Sequence, residues 1–176
     1  ARAASTCASR MASRWFMLEM GGSSSAPFLC TYVSKTADPV TGGWWFYGFS
    51  APSTPDYPHC GIWNNAYVCG DNEGNAQVSV YAFDRERMLL GQTARPAQRF
   101  ASVNKLAGYG FQILTPATFY GTTAAPAGSA QILARHNDDE AHAGTGVAAV
   151  ERIGAGAQTA QAHAMHPGLY RSEEIL

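Results

Sequence analysis

The chain has 176 residues, twelve basic against thirteen acidic, with a net charge of −1 at neutral pH. That balance excludes the basic field a nucleic-acid binder needs, and no apolar run is long enough to cross a bilayer as a helix. The length suits one domain with a sizeable core, and eighteen glycines, 11% aromatics and two lysines suit turn-rich β structure better than a helix bundle.

Residues 1–13 are small and polar apart from Cys7, and read as an extended N-terminal arm. The run 14–20 (Arg-Trp-Phe-Met-Leu-Glu-Met) is a strand candidate, closed by Gly21 and Gly22. Residues 28–34 and 44–49 are β-prone and aromatic, and a Pro/Gly-containing turn separates them. The stretch 51–58 carries three prolines and predicts irregular chain.

The clearest unit lies between Asp56 and Gly91. Residues 60–63 and 66–69 are short β-prone runs around Asn64-Asn65, and asparagine tolerates the positive φ of a two-residue hairpin turn. That turn sets a register in which Trp63 faces Ala66, Ile62 faces Tyr67, Gly61 faces Val68 and Cys60 faces Cys69. The last pair falls at a non-hydrogen-bonded position, where Cα atoms approach to about 4.5 Å and a disulfide fits. Residues 78–84 follow, with Val78, Val80 and Ala82 on one face and Ser79, Tyr81 and Phe83 on the other. Asp84 is placed to cap a helical turn over 85–90 that stops at Gly91. Residues 98–103 supply a fourth strand, so the unit has the plan of a propeller blade.

Beyond it, residues 109–114 precede a long Thr/Pro/Ala/Gly stretch to Gly128, residues 129–135 and 146–153 are strand candidates, and 154–176 read as a C-terminal loop or tail. Arg14-Trp15 and Ile62-Trp63 lie 48 positions apart, and Thr31-Tyr32-Val33 stands 49 before Val80-Tyr81-Ala82. Propeller blades recur at about 40–50 residues. The expected fold class is therefore all-β: two to three propeller-type antiparallel blades over 14–153, with Gly/Pro/Ala-rich loops.

Four cysteines permit two disulfides. The hairpin register selects Cys60–Cys69 and leaves Cys7–Cys30 by elimination; the alternative is a set of unrelated buried thiols. Disulfides imply an oxidising compartment, hence an exported chain. The first residue is not Met and no leader pattern opens the sequence, which reads as a processed chain.

At Asp56-Tyr57-Pro58, Gly61-Ile62-Trp63, Ala66-Tyr67, Tyr81-Ala82-Phe83-Asp84-Arg85 and Met88-Leu89-x-Gly91, the chain resembles a family of large secreted bacterial β-propeller proteins. Members repeat the segments Asp-Tyr-Pro-Lys-x-Gly-Val-Trp and Tyr-x-Asp-Arg-x-x-Met-Leu-x-Gly. The likeness covers roughly residues 14–153. It implies a propeller fold and a surface or exported location, but it transfers no catalytic residues. His59 stands where the family has Lys, and Cys60 and Cys69 depart from its pattern.

Three groups are candidate sites. Asp138, Asp139 and Glu140, with His136 and His142 nearby, can hold Ca²⁺ or a transition metal, or form a solvated loop. Asp71-Asn72-Glu73 reads as a turn first and a Ca²⁺ ligand second; no other cofactor is indicated. Asp84, Arg85, Glu86 and Arg87 can serve a sialidase-like glycosidase, or cap a helix and solvate its surface. Trp44, Trp45, Tyr47 and Tyr57 can stack on sugars or partner proteins. Trp44 and Trp45 are adjacent, so a strand points them to opposite faces, whereas Trp15 and Trp63 are expected in the core.

No nucleophile elbow or phosphate-binding glycine loop occurs. The expected function is a secreted or cell-surface binding or structural module that makes protein–protein or carbohydrate contacts. Two to three blades leave open edges, which other copies or companion chains would complete. The competing expectation is a secreted glycosidase or other hydrolase with its site at the propeller mouth.

Overall fold

The computed structural model describes residues 4–9, 12–73, 77–105, 113–119, 121–126, 128–135, 149–153 and 161–164. Twelve strands form three four-stranded antiparallel sheets, each sheet a meander of consecutive strands. The first holds β1 (Ala4–Ser9), β2 (Arg14–Ser23), β3 (Ala26–Ser34) and β4 (Trp44–Ser50). The second holds β5 (His59–Ile62), β6 (Ala66–Asp71), β7 (Gln77–Asp84) and β8 (Gln98–Asn104), with helix α1 (Arg85–Leu89) between the last two. The third holds β9 (Thr115–Pro116), β10 (Gln131–Arg135), β11 (Ala149–Ile153) and β12 (Gln161–Ala164).

The expected all-β class is observed, as are the hairpin and its register. Ile62 pairs with Tyr67, Gly61 with Val68 and Cys60 with Cys69, and the Trp63 amide donates to the Ala66 carbonyl at 2.9 Å. Cys60 and Cys69 are disulfide-bonded, with Cα atoms 4.1 Å apart. The polar tips of the hairpin then reach sideways. Asn64 exchanges hydrogen bonds with the backbone of Ala125 at 2.9 and 3.0 Å, and Trp63 stacks on Phe119.

Sheet two is the centre of the molecule, because the alternation expected for β7 sorts its side chains into two cores. Tyr67, Cys69, Tyr81 and Phe83 pack with Phe16, Leu18, Leu29 and Val33 of the first sheet. Val68, Val78, Val80 and Phe100 pack with Leu114 and Leu133 towards the third. The leading strands lie side by side, β1 against β5 and β5 against β9. Among the described residues the sheets close into neither a barrel nor a propeller.

Several expectations need correction. Cys7 and Cys30 are free thiols rather than a disulfide. Cys7 pairs with Phe16, which in turn pairs with Val33, so Cys7 stands three positions out of register with Cys30 and two strands away. Those two strand spacings are about 10 Å, beyond disulfide reach, and an odd offset points the side chains to opposite faces.

The stretch 1–13 is more than an arm, since it supplies β1, and the 154–176 tail contains β12. Trp15 and Trp63 are not equivalent: Trp15 lies in β2, whereas Trp63 follows β5. The Thr31/Val80 correspondence stands, both residues lying in the third strand of their sheets. Residues 109–112 lie outside the described set. Ile113 and Leu114 are irregular, and the ladder begins at Thr115. No described helix is long and apolar enough to cross a membrane.

Candidate functional site

Asp84 ends β7 and caps α1, accepting a hydrogen bond from the Arg87 amide. Arg95 also grips it from two sides, with Nε 2.6 Å and Nη2 3.1 Å from the two carboxylate oxygens. The hydrogen bonds from Arg95 hold the Asp84 carboxyl down at about 2. Glu86 meets the same guanidinium at 3.9 Å. Arg85 turns the other way and is buried, donating to the Asn64 carbonyl at 2.8 Å and to Ser9 Oγ at 3.3 Å. Arg87 is exposed and reaches the Thr93 carbonyl.

The Asp84–Arg95 pair borders a shallow depression with Asn65, Phe83 and Gln98. Asp84 and Glu86 are therefore brought together through Arg95, while Arg85 is a clamp between the first two sheets. A carboxylate held ionised by a bidentate guanidinium accepts hydrogen bonds and donates none, so it is unsuited to general-acid work at neutral pH.

The four aromatic candidates do not form one surface. Trp45 and Tyr47 share the β4 face that turns inward. Gly91 packs against the Trp45 ring, and the Tyr47 hydroxyl donates to the Met88 carbonyl at 3.2 Å. Trp44 faces the other side, as adjacent strand residues must, and its indole N–H donates to Pro39 at 2.9 Å. Tyr57 sits in the 51–58 loop at φ 54°, with its ring 4.9 Å from that of His59.

The surface that does form an aromatic platform is the outer face of sheet one. Direct pairing puts Met17 beside Tyr32 and Tyr32 beside Phe46, one row across three strands. Tyr32 and Phe46 meet edge-to-face at 5.2 Å. Phe28 and Trp15 flank the row and are exposed, Trp15 at 41%, and Phe46 is 71% exposed. Trp15 thus lies on the surface, contrary to the core expectation, whereas Trp63 is half-buried between sheets two and three. The missed signal was local: Trp15 alternates onto the same strand face as Met17 and the charged Glu19, opposite Phe16 and Leu18.

A second group that sequence reasoning read as a turn surrounds Glu73. Its carboxylate is fully buried and accepts from Tyr81, from Ser79 at 2.7 Å, and from Arg99 Nε at 3.1 Å. Beside it Asp71 accepts from the Asp56 amide at 2.9 Å through one oxygen, while Oδ2 has no partner. Burial, reinforced by the charge of Glu73, pushes the Asp71 carboxyl up to about 7. These contacts, with Ser53 Oγ donating to the Glu73 carbonyl at 2.8 Å, tie the proline-rich loop to the second sheet. The cluster is a structural hydrogen-bond network around the buried Glu73 carboxylate, with Asp71 at its side.

No group of three or more metal-ligating side chains converges among the described residues. Asp138, Asp139 and Glu140, with His136 and His142, lie outside the described residues. No family model, curated protein or solved structure matches the chain.

Proposed function

We propose that the chain is an exported, propeller-type module that binds or builds through its faces, as one part of a larger assembly. The observation that carries this reading is the set of large aromatic side chains that sheet one exposes, Trp15, Phe28 and Phe46, beside two packed sheet-to-sheet contacts. Exposed aromatic side chains gathered on one sheet face are a common mark of a binding surface. The three meanders with leading strands side by side suit the blade plan, and the likeness at Asp56-Tyr57-Pro58 and Tyr81–Arg85 suits a secreted propeller family. The Cys60–Cys69 disulfide suits an oxidising compartment.

Aromatic rows serve protein and carbohydrate ligands alike, since flat rings bring large apolar area. The glycosidase reading has less support, because Asp84 and Glu86 are both engaged by Arg95.

The test is binding against turnover. Purified protein is titrated with a panel of soluble polysaccharides and monitored by tryptophan fluorescence, with released sugar measured in parallel. Saturable binding without released sugar, lost on Phe46→Ala, is the expected result for a carbohydrate ligand. Turnover abolished by Asp84→Asn or Glu86→Gln would overturn the non-enzymatic reading.

A further inference from the structure

We propose that residues 53–57 form a proton-sensitive latch on Asp71, shut while that carboxyl is neutral and released when it ionises.

The closed geometry is the first argument. Three hydrogen bonds tie the proline-rich loop to the end of β6. The Asp56 amide donates to Asp71 Oδ1 at 2.9 Å, and the Asn72 amide donates back to the Asp56 carbonyl at 3.0 Å. Ser53 Oγ donates to the Glu73 carbonyl at 2.8 Å. Asp71 is buried, whereas Asp56 and Tyr57 above it are exposed, so one layer of chain keeps water from the carboxyl. The loop belongs to no strand or helix, and its release breaks no ladder.

Charge is the second argument. Asp71 Oδ2 is buried without a hydrogen-bond partner. The carboxylates of Glu73, beyond the end of β6, and of Asp56, in the loop, both disfavour its negative charge. The polar groups around it are turned elsewhere. Ser79 and Tyr81 of β7 donate to Glu73, Arg99 of β8 bonds Glu73 and Ser79, and Lys105 bonds Asn72. An ionised Asp71 under the loop is a buried anion with one oxygen unsolvated, and lifting the loop lets water reach it.

Strain adds to this. Tyr57, next to the tether at Asp56, holds φ 54°, a left-handed conformation that aromatic residues rarely adopt. Release lets that backbone relax. His59 is a residue type that titrates near neutrality. It pairs with Gly70, so alternation turns it to the opposite side of the sheet from Asp71.

Burial raises the Asp71 carboxyl to about 7, so the closed latch holds a proton that the open one gives up. Above the ordinary carboxylate range, each pH unit up to about 7 then favours opening by about tenfold. From pH 5 to pH 7 the shift is roughly 100-fold, and it levels off beyond.

Amide hydrogen exchange of the whole chain, followed by NMR from pH 5 to pH 8 with the intrinsic rates divided out, tests the latch. Protection of the Asp56 and Asn72 amides should fall by up to roughly 100-fold across that range. It should stay below that of the Trp63 amide, which is bonded within the hairpin, at every pH. Asp71→Asn should abolish the fall. Ser53→Ala, which removes one tether, should lower protection of both amides throughout and keep the pH dependence.

Protection that does not change with pH overturns the proposal. So does protection equal to that of Trp63, since the loop would then leave only when the chain unfolds. A fall that persists in Asp71→Asn assigns the response to another group, His59 first, and overturns it as well. Should Asp71→Asn fail to fold, the wild-type profile and Ser53→Ala decide: unchanged protection in the serine variant means that the loop is not held at 71–73.

Discussion

The rings of Phe16 and Tyr67 stack at 4.1 Å with 12° between their planes, one from β2 and one from β6, and neither is exposed to solvent. This contact joins the first sheet to the second. Phe83 lies 6.3 Å from Phe16 on one side of it, and the Arg85 guanidinium stands 6.0 Å above the tyrosine ring. Truncating Phe16 removes both the transfer energy and the packing of its neighbours. Phe16→Ala should cost about 3–5 kcal/mol, and Phe16→Leu clearly less. Urea denaturation reads this as a lower midpoint at unchanged slope. A loss under about 1 kcal/mol for the alanine variant would contradict the packed contact between the sheets.

Arg99 pairs with the buried Glu73 carboxylate. Arg99→Met removes that cation from a buried carboxylate, and should destabilise by about 2–3 kcal/mol. Adding Glu73→Gln to the same chain should recover part of the loss, because the buried group no longer carries charge. A double-mutant cycle measures the coupling, and strict additivity of the two changes would refute the pairing.

Asp71 makes stability depend on pH near neutrality. Burial raises its folded pKa from the ordinary carboxylate value to about 7. The folded chain then holds a proton that the unfolded chain has released, so this contribution is complete below about pH 4 and falls as pH rises to about 7. Above that it is flat. Asp71→Asn, which mimics the protonated carboxyl, should flatten the profile and be the more stable form at pH 8. Thermal melts of both proteins from pH 5 to 8 decide it; parallel profiles would mean that Asp71 ionises freely.

Thiol counting separates the two cysteine pairs. Unfolded but unreduced protein should show two reactive thiols, and reduced protein four. In the native chain Cys30 should react first, because burial pushes the Cys7 thiol up to about 12 and leaves little thiolate. Replacing Cys60 and Cys69 by alanine should cost about 2–3 kcal/mol, the loop-closure value for a bridge this short. Zero reactive thiols before reduction would restore a Cys7–Cys30 bond.

Local chemistry was legible in the chain. Asn64-Asn65 dictates a two-residue turn, the turn dictates the register, and the register brings Cys60 onto Cys69. The alternation from Val78 to Phe83 sorts two cores, and Asp84 and Gly91 bracket the helical turn. Each of these rests on residues a few positions apart, where backbone geometry leaves few choices. Equivalence between the sheets was only half legible: Thr31 and Val80 correspond, while the likeness of Trp15 to Trp63 is accidental.

Everything that depends on which face meets which sheet was settled by the tertiary structure. Arg85 and Arg87 are alike in sequence, yet one is buried between sheets and the other is in water. Trp15 and Phe16 are neighbours, and only the phenylalanine is covered. Glu73 reads as a turn residue until Ser79, Tyr81 and Arg99 converge on it from β7 and β8. Alternation along a strand assigns side chains to two faces, but it cannot say which face is buried. That choice belongs to the packing of one sheet on the next, which brings together residues with no neighbour relation along the chain.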